Sequence, residues 1–121
     1  MVSRLIPALA LVLILTGCNA MAGERVPYSA KAYFKNYALS TCIADAFDAS
    51  DVSTAAAAAA RGYLELGDYP LEAHTEATLL GREFLKRDYV SKSGANLALM
   101  KCIDFFHSPA LEALAEKYAG K

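Results

Sequence analysis

Two cysteines lie in the middle of similar apolar stripes, and these stripes constrain the fold of this chain more than any other feature. Apolar residues recur every three or four positions in two segments, which is the spacing of one buried face of an α-helix. The two stripes consist of Leu39, Cys42, Ile43, Ala46 and Phe47, and of Leu99, Cys102, Ile103 and Phe106. No segment alternates long enough to predict a β-strand. The pattern predicts an all-α fold.

Helix start and stop signals divide the chain from residue 29 onwards into four to five helices, which predicts a small helical bundle. The expected elements are a first helix from Ser29 to Phe47, a second from an Asp51 N-cap to Leu66, a third from Pro70 to Arg87, a fourth capped by Ser93, and a short fifth that starts at Ser108-Pro109 and ends by Gly120.

The second predicted helix contains six consecutive alanines, Ala55 to Ala60. Alanine has the highest helix propensity, and its small side chain allows another helix to approach closely. The run therefore either packs inside its own domain or forms a close crossing with a second copy of the chain.

The first residues read as an export signal and not as a membrane span. Arg4 precedes an apolar run from Leu5 to Leu15, which is shorter than the roughly 20 residues that a membrane-spanning helix needs. The segment from Leu15 to Cys18 resembles the lipobox of bacterial lipoproteins, in which the cysteine is acylated. An ordinary signal peptide cut near Ala20 or Ala22 is the alternative, and both interpretations export the chain.

With acylation at Cys18, the chain divides into a signal peptide (1–17), a tether (18–28) and a helical domain (29–121). Several acyl chains on one residue suffice for stable membrane attachment. By resemblance to Gram-negative lipoproteins, Asn19 at the sorting position indicates the outer membrane. We therefore expect a periplasmic protein whose only membrane contact is its lipid anchor.

Two thiols, Cys42 and Cys102, then remain in an exported domain, and the simplest expectation is one disulfide between the first and fourth helices. The competing idea is a catalytic thiol, because His107 follows Cys102 by five residues. That spacing turns the two side chains about 140° apart on a helix, which disfavours a nucleophile and base pair. We expect His107 and His74 to be surface or capping residues.

Composition excludes several other classes of function. The formal net charge is −1, so the basic surface that nucleic-acid binding requires is missing. Two histidines far apart give no metal-ligand spacing, and no phosphate-binding loop or catalytic triad pattern is present. We therefore expect no catalytic residue, metal or cofactor, and a binding protein rather than an enzyme.

Four segments taken together resemble the type VI secretion amidase immunity family, whose members inhibit the fourth family of amidase effectors in the periplasm. The segments are Lys35–Ala44, Gly62–Gly67, Tyr89 with Ser91–Gly94, and Leu99–Ser108. The resemblance extends from about Tyr33 to Tyr118, and the block MKCIDFFHS is its most specific part. It implies a helical homodimer that binds an injected papain-like peptidoglycan amidase and plugs its active-site cleft. One loop would enter the cleft, while a helix of the second subunit adds contacts.

Two loops have the composition of such a plug. The first candidate is the segment Tyr63–Pro70, which offers aromatic area, carboxylates and a glycine through Tyr63, Glu65, Gly67, Asp68 and Tyr69. The second is small and polar and contains Ser91, Lys92 and Ser93. A helix end with tyrosines covering the core, or a serine-capped helix start, explains the same residues. A structural or assembly lipoprotein of the outer membrane is the alternative function.

Overall fold

The computed structural model describes residues 25–121, and this part of the chain is helical without strands. The five helices are α1 (Ala30–Ala46), α2 (Asp51–Leu66), α3 (Leu71–Leu85), α4 (Ala98–Phe106) and α5 (Pro109–Tyr118). The predicted all-α bundle is therefore confirmed. The proposed signal peptide and Cys18 lie outside the described residues. No helix within the described part is both long enough and apolar enough to cross a membrane.

Serine side chains begin three of the helices. Ser29 accepts a hydrogen bond from the backbone N–H of Ala32 at the start of α1, and Ser108 accepts one from Leu111 at the start of α5. These caps satisfy N–H groups that have no partner within the helix. The expected Asp51 cap of α2 is wrong by one residue, because the Ser50 hydroxyl accepts the hydrogen bond from Ser53.

Helix α1 is the centre of the bundle, and all four other helices contact it. Its buried residues Phe34, Ala38 and Cys42 follow one another at intervals of four, so they form one face. The alanine-rich helix α2 packs against α1 as an antiparallel hairpin partner, with Ala60 as its buried residue. The alanine run thus packs in part inside its own domain, whereas Ala55, Ala58 and Ala59 remain exposed.

Helix α3 runs parallel to α1, as three contacts along their length indicate. The Phe34 ring meets His74 edge-on, and the hydroxyls of Tyr37 and Thr78 lie 3.1 Å apart. Further along, the Arg82 Nε donates to Asp45 at 3.1 Å. The starts of α1 and α3 therefore share one end of the bundle, together with the end of α2. We call this end, defined by Tyr28, Tyr63 and Tyr69, the lower end.

The predicted disulfide joins Cys42 of α1 to Cys102 of α4, with the two Cα atoms 5.6 Å apart. Both cysteines are buried in the common core. Cys102 thus points inward as predicted, but the predicted stripe on α4 is wrong at Leu99 and Ile103. Leu99 and Ile103 remain 46% and 45% exposed, and Phe105 is fully buried instead.

Phe105 is buried because α3 leaves room for its ring at Gly81. A Cβ added at Gly81 would lie only 3.0 Å from the Phe105 Cε1 atom, which is closer than such atoms normally approach. Phe105 also packs against Phe84, with ring centroids 5.1 Å apart. The fit of one large ring to one glycine therefore sets the rotation of α4.

The expectation of a surface position for His74 is wrong, because its side chain is 1% exposed. Its Nδ1 donates to the carbonyl oxygen of Pro70 at 3.0 Å, and its ring packs edge-on against Phe34 and Tyr37. The Nε2 atom has no hydrogen-bond partner among the described residues. Burial lowers the His74 pKa below its ordinary value, against the opposing effect of the Pro70 carbonyl.

Candidate functional site

The α2–α3 connection contains Tyr69, which is held by the core. The Tyr69 ring stacks on Phe34, with centroids 4.7 Å apart and ring planes 18° apart. Its hydroxyl donates to the carbonyl oxygen of Ala115 in α5 at 2.9 Å. Burial, which disfavours the phenolate, raises the Tyr69 pKa. Tyr69 thus clamps the connection to α1 and α5.

The other candidate residues of this connection divide between packing and solvent. The Tyr63 ring lies beside Tyr33 and Tyr28, at centroid distances of 6.3 and 6.2 Å. Gly67 ends α2 in extended backbone, and a Cβ there would come within 3.1 Å of the Tyr63 carbonyl oxygen. Glu65 and Asp68 are exposed. The surface that remains for a partner is mainly these two carboxylates.

The α3–α4 connection, residues 86–97, is a longer loop that is anchored at its base. The Tyr89 hydroxyl donates to Asp104 at 2.6 Å, and the Lys101 ammonium donates to the Leu85 carbonyl oxygen at 3.0 Å. Lys101 also lies over the Tyr89 ring, 5.7 Å from its centroid. The hydrogen bond to Asp104 raises the Tyr89 pKa, since it favours the protonated phenol. These contacts hold the loop against α4.

The tip of this loop is a tight turn with its own hydrogen bonds. The Gly94 N–H donates to the Ser91 carbonyl oxygen at 3.1 Å, and the hydroxyls of Ser91 and Ser93 lie 3.0 Å apart. Gly94 has a φ of 73°, a left-handed conformation that glycine adopts without strain. The expected role of Ser93 as the cap of α4 is wrong, because that helix begins only at Ala98.

The side chains at the tip point into solvent. Lys92 is exposed, and Val90 is 91% exposed. Sequence reasoning did not select Val90, although a lone apolar residue in a polar loop is the signal that marks it. An apolar side chain held in solvent on an anchored loop can be buried by a partner without first giving up contacts in its own fold.

The two candidate loops lie at opposite ends of α3 and do not form one surface. A helix rises 1.5 Å per residue, so the fifteen residues from Leu71 to Leu85 separate the loops by about 21 Å. The structure brings Ser91, Lys92 and Ser93 together at the upper end, which we define as the end that carries the loop 86–97. It leaves the Tyr63–Tyr69 group at the lower end. A single inserted loop can use only one of the two groups.

The described residues hold no reactive constellation. Cys102 is bonded to Cys42, so a Cys102–His107 nucleophile pair is excluded in this oxidised state. The His107 ring is exposed and packs edge-on against Phe106, with centroids 5.0 Å apart. Between residues 25 and 121, no three His, Cys, Asp or Glu side chains gather as metal ligands. This arrangement defines a small, disulfide-stabilised helical protein with one projecting loop.

Comparison with known families identifies the family to which this helical protein belongs. Residues 32–115 match the family model described as Tai4, type VI secretion system (T6SS), amidase immunity protein. The match covers more than half of the chain, so this protein belongs to the type VI secretion amidase immunity family. The resemblance in the sequence is thereby confirmed. A search of curated protein sequences finds no significant match.

Solved structures support the same assignment. The chain is similar to a chain in the Tae4/Tai4 effector–immunity system from Salmonella typhimurium, with 32% identity and a TM-score of 0.72 over 78% of this chain and 93% of that one. It shares its fold with a chain of the Tae4–Tai4 complex from Enterobacter cloacae, at 23% identity, a TM-score of 0.66 and coverage of 76% and 98%. A third similar structure, at 22% identity and a TM-score of 0.69, comes from a study of toxins and self-resistance proteins in Serratia marcescens, with coverage of 82% and 90%.

Proposed function

We propose that this protein is a periplasmic immunity protein that binds a cognate type VI secreted amidase and inhibits it by inserting a loop into the active-site cleft. Family membership supports the immunity role, as does the similar chain from an effector–immunity system. The resemblance implies a papain-like peptidoglycan amidase as the partner. Inhibition would protect the cell and its kin from wall cleavage, and no observation favours the alternative of a structural envelope lipoprotein.

The inserted element we propose is the loop 86–97, and its anchored, exposed tip is the observation that carries this choice. Val90 and Lys92 project from a turn whose base is fixed by the Tyr89–Asp104 hydrogen bond. A preorganised loop loses little conformational entropy on binding, so more of the contact energy appears as affinity. The tip residues Ser91, Lys92 and Ser93 would supply polar contacts inside the cleft.

The α2–α3 connection fits this role less well because its aromatic residue is already engaged. Inserting Tyr69 into a partner would break its stacking on Phe34 and its hydrogen bond to Ala115. We propose that Glu65 and Asp68 contribute little to binding of the effector. Tyr63 and Gly67 would then shape the backbone and have no direct contact with the enzyme.

The loop assignment is tested by matched charge reversals at the two ends of α3. Lys92→Glu changes the upper loop, and Asp68→Lys changes the lower one, and both side chains are exposed. We expect Lys92→Glu to weaken binding of the amidase by at least about tenfold, the scale of an interface hot spot, and Asp68→Lys by less than about threefold. Calorimetry with the purified cognate amidase measures both. The opposite order would place the plug at the lower end.

We also propose that the protein is a homodimer, as the family resemblance implies. Among the exposed apolar surfaces of the described domain, we single out two as candidates: the outer face of α2 around Ala59, and the face of α4 with Leu99, Met100 and Ile103. Light scattering of Ala59→Arg and Ile103→Arg variants distinguishes them, because the variant at the true interface should become monomeric. A wild-type protein that is monomeric at high concentration would contradict the dimer.

We propose further that the mature chain begins at an acylated Cys18 and is held on the outer membrane. The lipobox-like segment before Cys18 supports this assignment. Mass spectrometry of the protein isolated from membranes tests it, since acylation adds the mass of the lipid to the first peptide. An unmodified peptide starting after Ala20 or Ala22 would indicate an ordinary signal peptide instead.

A further inference from the structure

Three tyrosines meet at the lower end, where the tether enters the domain. Tyr28 packs edge-on against Tyr33 of α1 and Tyr63 of α2, at centroid distances of 5.5 and 6.2 Å. Val26 and Leu66 border the same small recess, together with Arg25. We call this set of six residues the tyrosine cluster. It fixes the last part of the tether to α1 and α2.

The tyrosine cluster leaves much apolar and aromatic surface in solvent. Val26 is 63% exposed, Tyr28 40% and Leu66 38%. Tyrosine, with an apolar ring and a polar hydroxyl, is enriched where proteins meet the headgroup region of membranes. The nearby charges are mixed, since Arg25 lines the recess and Glu65 is exposed on the same end of α2. The attraction of this surface to a membrane would therefore be mainly apolar and not electrostatic.

The length of chain before the tyrosine cluster limits how far it can lie from an anchor at Cys18. Arg25 lies seven positions after Cys18, and a fully extended chain spans at most about 3.5 Å per residue. The cluster must then stay within about 25 Å of the membrane surface. The loop 86–97 lies at the far end of α3, about 20 Å further along the bundle.

We propose that the tyrosine cluster rests on the phospholipid headgroup region and orients the domain with the loop 86–97 facing away from the membrane. The inference relies on the lipid anchor of the proposed function. A single anchor of several acyl chains holds the protein at the surface, and the exposed side chains Val26, Tyr28 and Leu66 add a weak second contact. The plug loop is thereby presented to an incoming effector.

Tryptophan fluorescence tests this orientation because the chain contains no tryptophan. The variants Tyr28→Trp and Val90→Trp each place one reporter, at the cluster and at the far loop. Each acylated protein is bound to phosphatidylcholine vesicles that carry bromine at a shallow position of the acyl chain. We expect the fluorescence of Tyr28→Trp to be quenched at least about threefold more than that of Val90→Trp. Equal quenching, or stronger quenching of Val90→Trp, would overturn the orientation.

A matched pair of substitutions tests the surface itself in the Tyr28→Trp background. Leu66→Asp places a charge in the cluster, and Val52→Asp places one on the first turn of the same helix, where Val52 is 51% exposed. We expect quenching to fall by about half with Leu66→Asp and to stay unchanged with Val52→Asp. Equal effects would contradict a contact at the cluster.

A protein with Cys18→Ala behind an ordinary cleavable signal separates the anchor from the inhibitory function. We expect it to lose vesicle binding and quenching while it still inhibits the amidase in solution. Full quenching without the acyl chains would show that the anchor is not what positions the cluster. Failure to inhibit the amidase in solution would instead contradict the proposed inhibition. It would not affect the test of the orientation, because the vesicle measurements do not depend on inhibition.

Discussion

Removing the Cys42–Cys102 disulfide should cost about 4 kcal/mol of folding free energy. The bond closes a loop of sequence separation 60, and the chain-entropy relation for a loop of this length gives about 14 cal/mol/K, or about 4 kcal/mol at 25 °C. A typical domain has a total stability of roughly 5–15 kcal/mol, so the loss is a large part of it. Both cysteines are buried, which adds the lost packing of two sulfur atoms.

Urea unfolding of the Cys42→Ala, Cys102→Ala double variant measures this cost. Alanine fits the space without introducing an unpaired polar group, so the comparison isolates the cross-link and its packing. We also expect a steeper dependence on urea, because the unfolded chain without the cross-link is more expanded. A loss below about 1 kcal/mol with an unchanged slope would refute the assigned role of the disulfide.

Three further predictions concern the core. Acidification from about pH 8 to pH 5 should lower the free energy of unfolding. The reason is that His74 in the unfolded chain binds a proton at the ordinary histidine pKa of 6.5, whereas burial lowers the pKa of His74 in the folded protein. The variant His74→Gln should lose most of this pH dependence in urea titrations, and an unchanged dependence would assign it to other groups. Tyr69→Phe should cost about 1 kcal/mol and Tyr69→Ala about 3 kcal/mol or more by thermal unfolding, since only the second also removes the stacking. Gly81→Ala should destabilise the fold by about 1–3 kcal/mol, because the added Cβ meets Phe105. Gly62→Ala should stabilise the fold by up to about 1 kcal/mol, because nothing lies within 4 Å of a Cβ at that position. Equal effects of the two alanines would contradict the close packing at Gly81.

The parts of the fold that local signals specify could be predicted from the sequence. Ser29 and Ser108 were identified as helix starts because a serine hydroxyl can satisfy a free N–H of the first turn. The pairing of Cys42 with Cys102 followed from export and from the count of two remaining thiols. These inferences need no knowledge of how the helices pack.

The rotation of α4 and the burial of His74 could not be predicted in this way. The buried face of α4 depends on the space that Gly81 leaves for Phe105, which is a contact between residues distant in the sequence. His74 lies on the same buried face of α3 as Ala73 and Ala77, but a polar side chain gives no apolar signal. The periodicity of apolar residues locates the helices in the sequence. Which side of each helix is buried depends on the helix that packs against it.

The choice between the two candidate loops likewise required the structure. In the sequence, the segment around Tyr69 has the better composition for binding, with aromatic and acidic side chains. The structure shows that this ring is stacked on Phe34 and hydrogen-bonded to α5. Val90, which carries no such contact, is the more exposed side chain. Composition identified residue types that suit binding. Only the packing shows that Tyr69 is held in its own fold whereas the tip of the loop 86–97 is exposed.

Above all, we propose that the loop 86–97 inhibits the amidase by entering its cleft. The most direct test is the inhibition constant for peptidoglycan cleavage with the variants Val90→Glu and Val52→Glu, which make the same change at two exposed valines. We predict that Val90→Glu raises the inhibition constant at least about tenfold while Val52→Glu inhibits like the unmodified protein. Inhibition by Val90→Glu that equals that of the unmodified protein would contradict it.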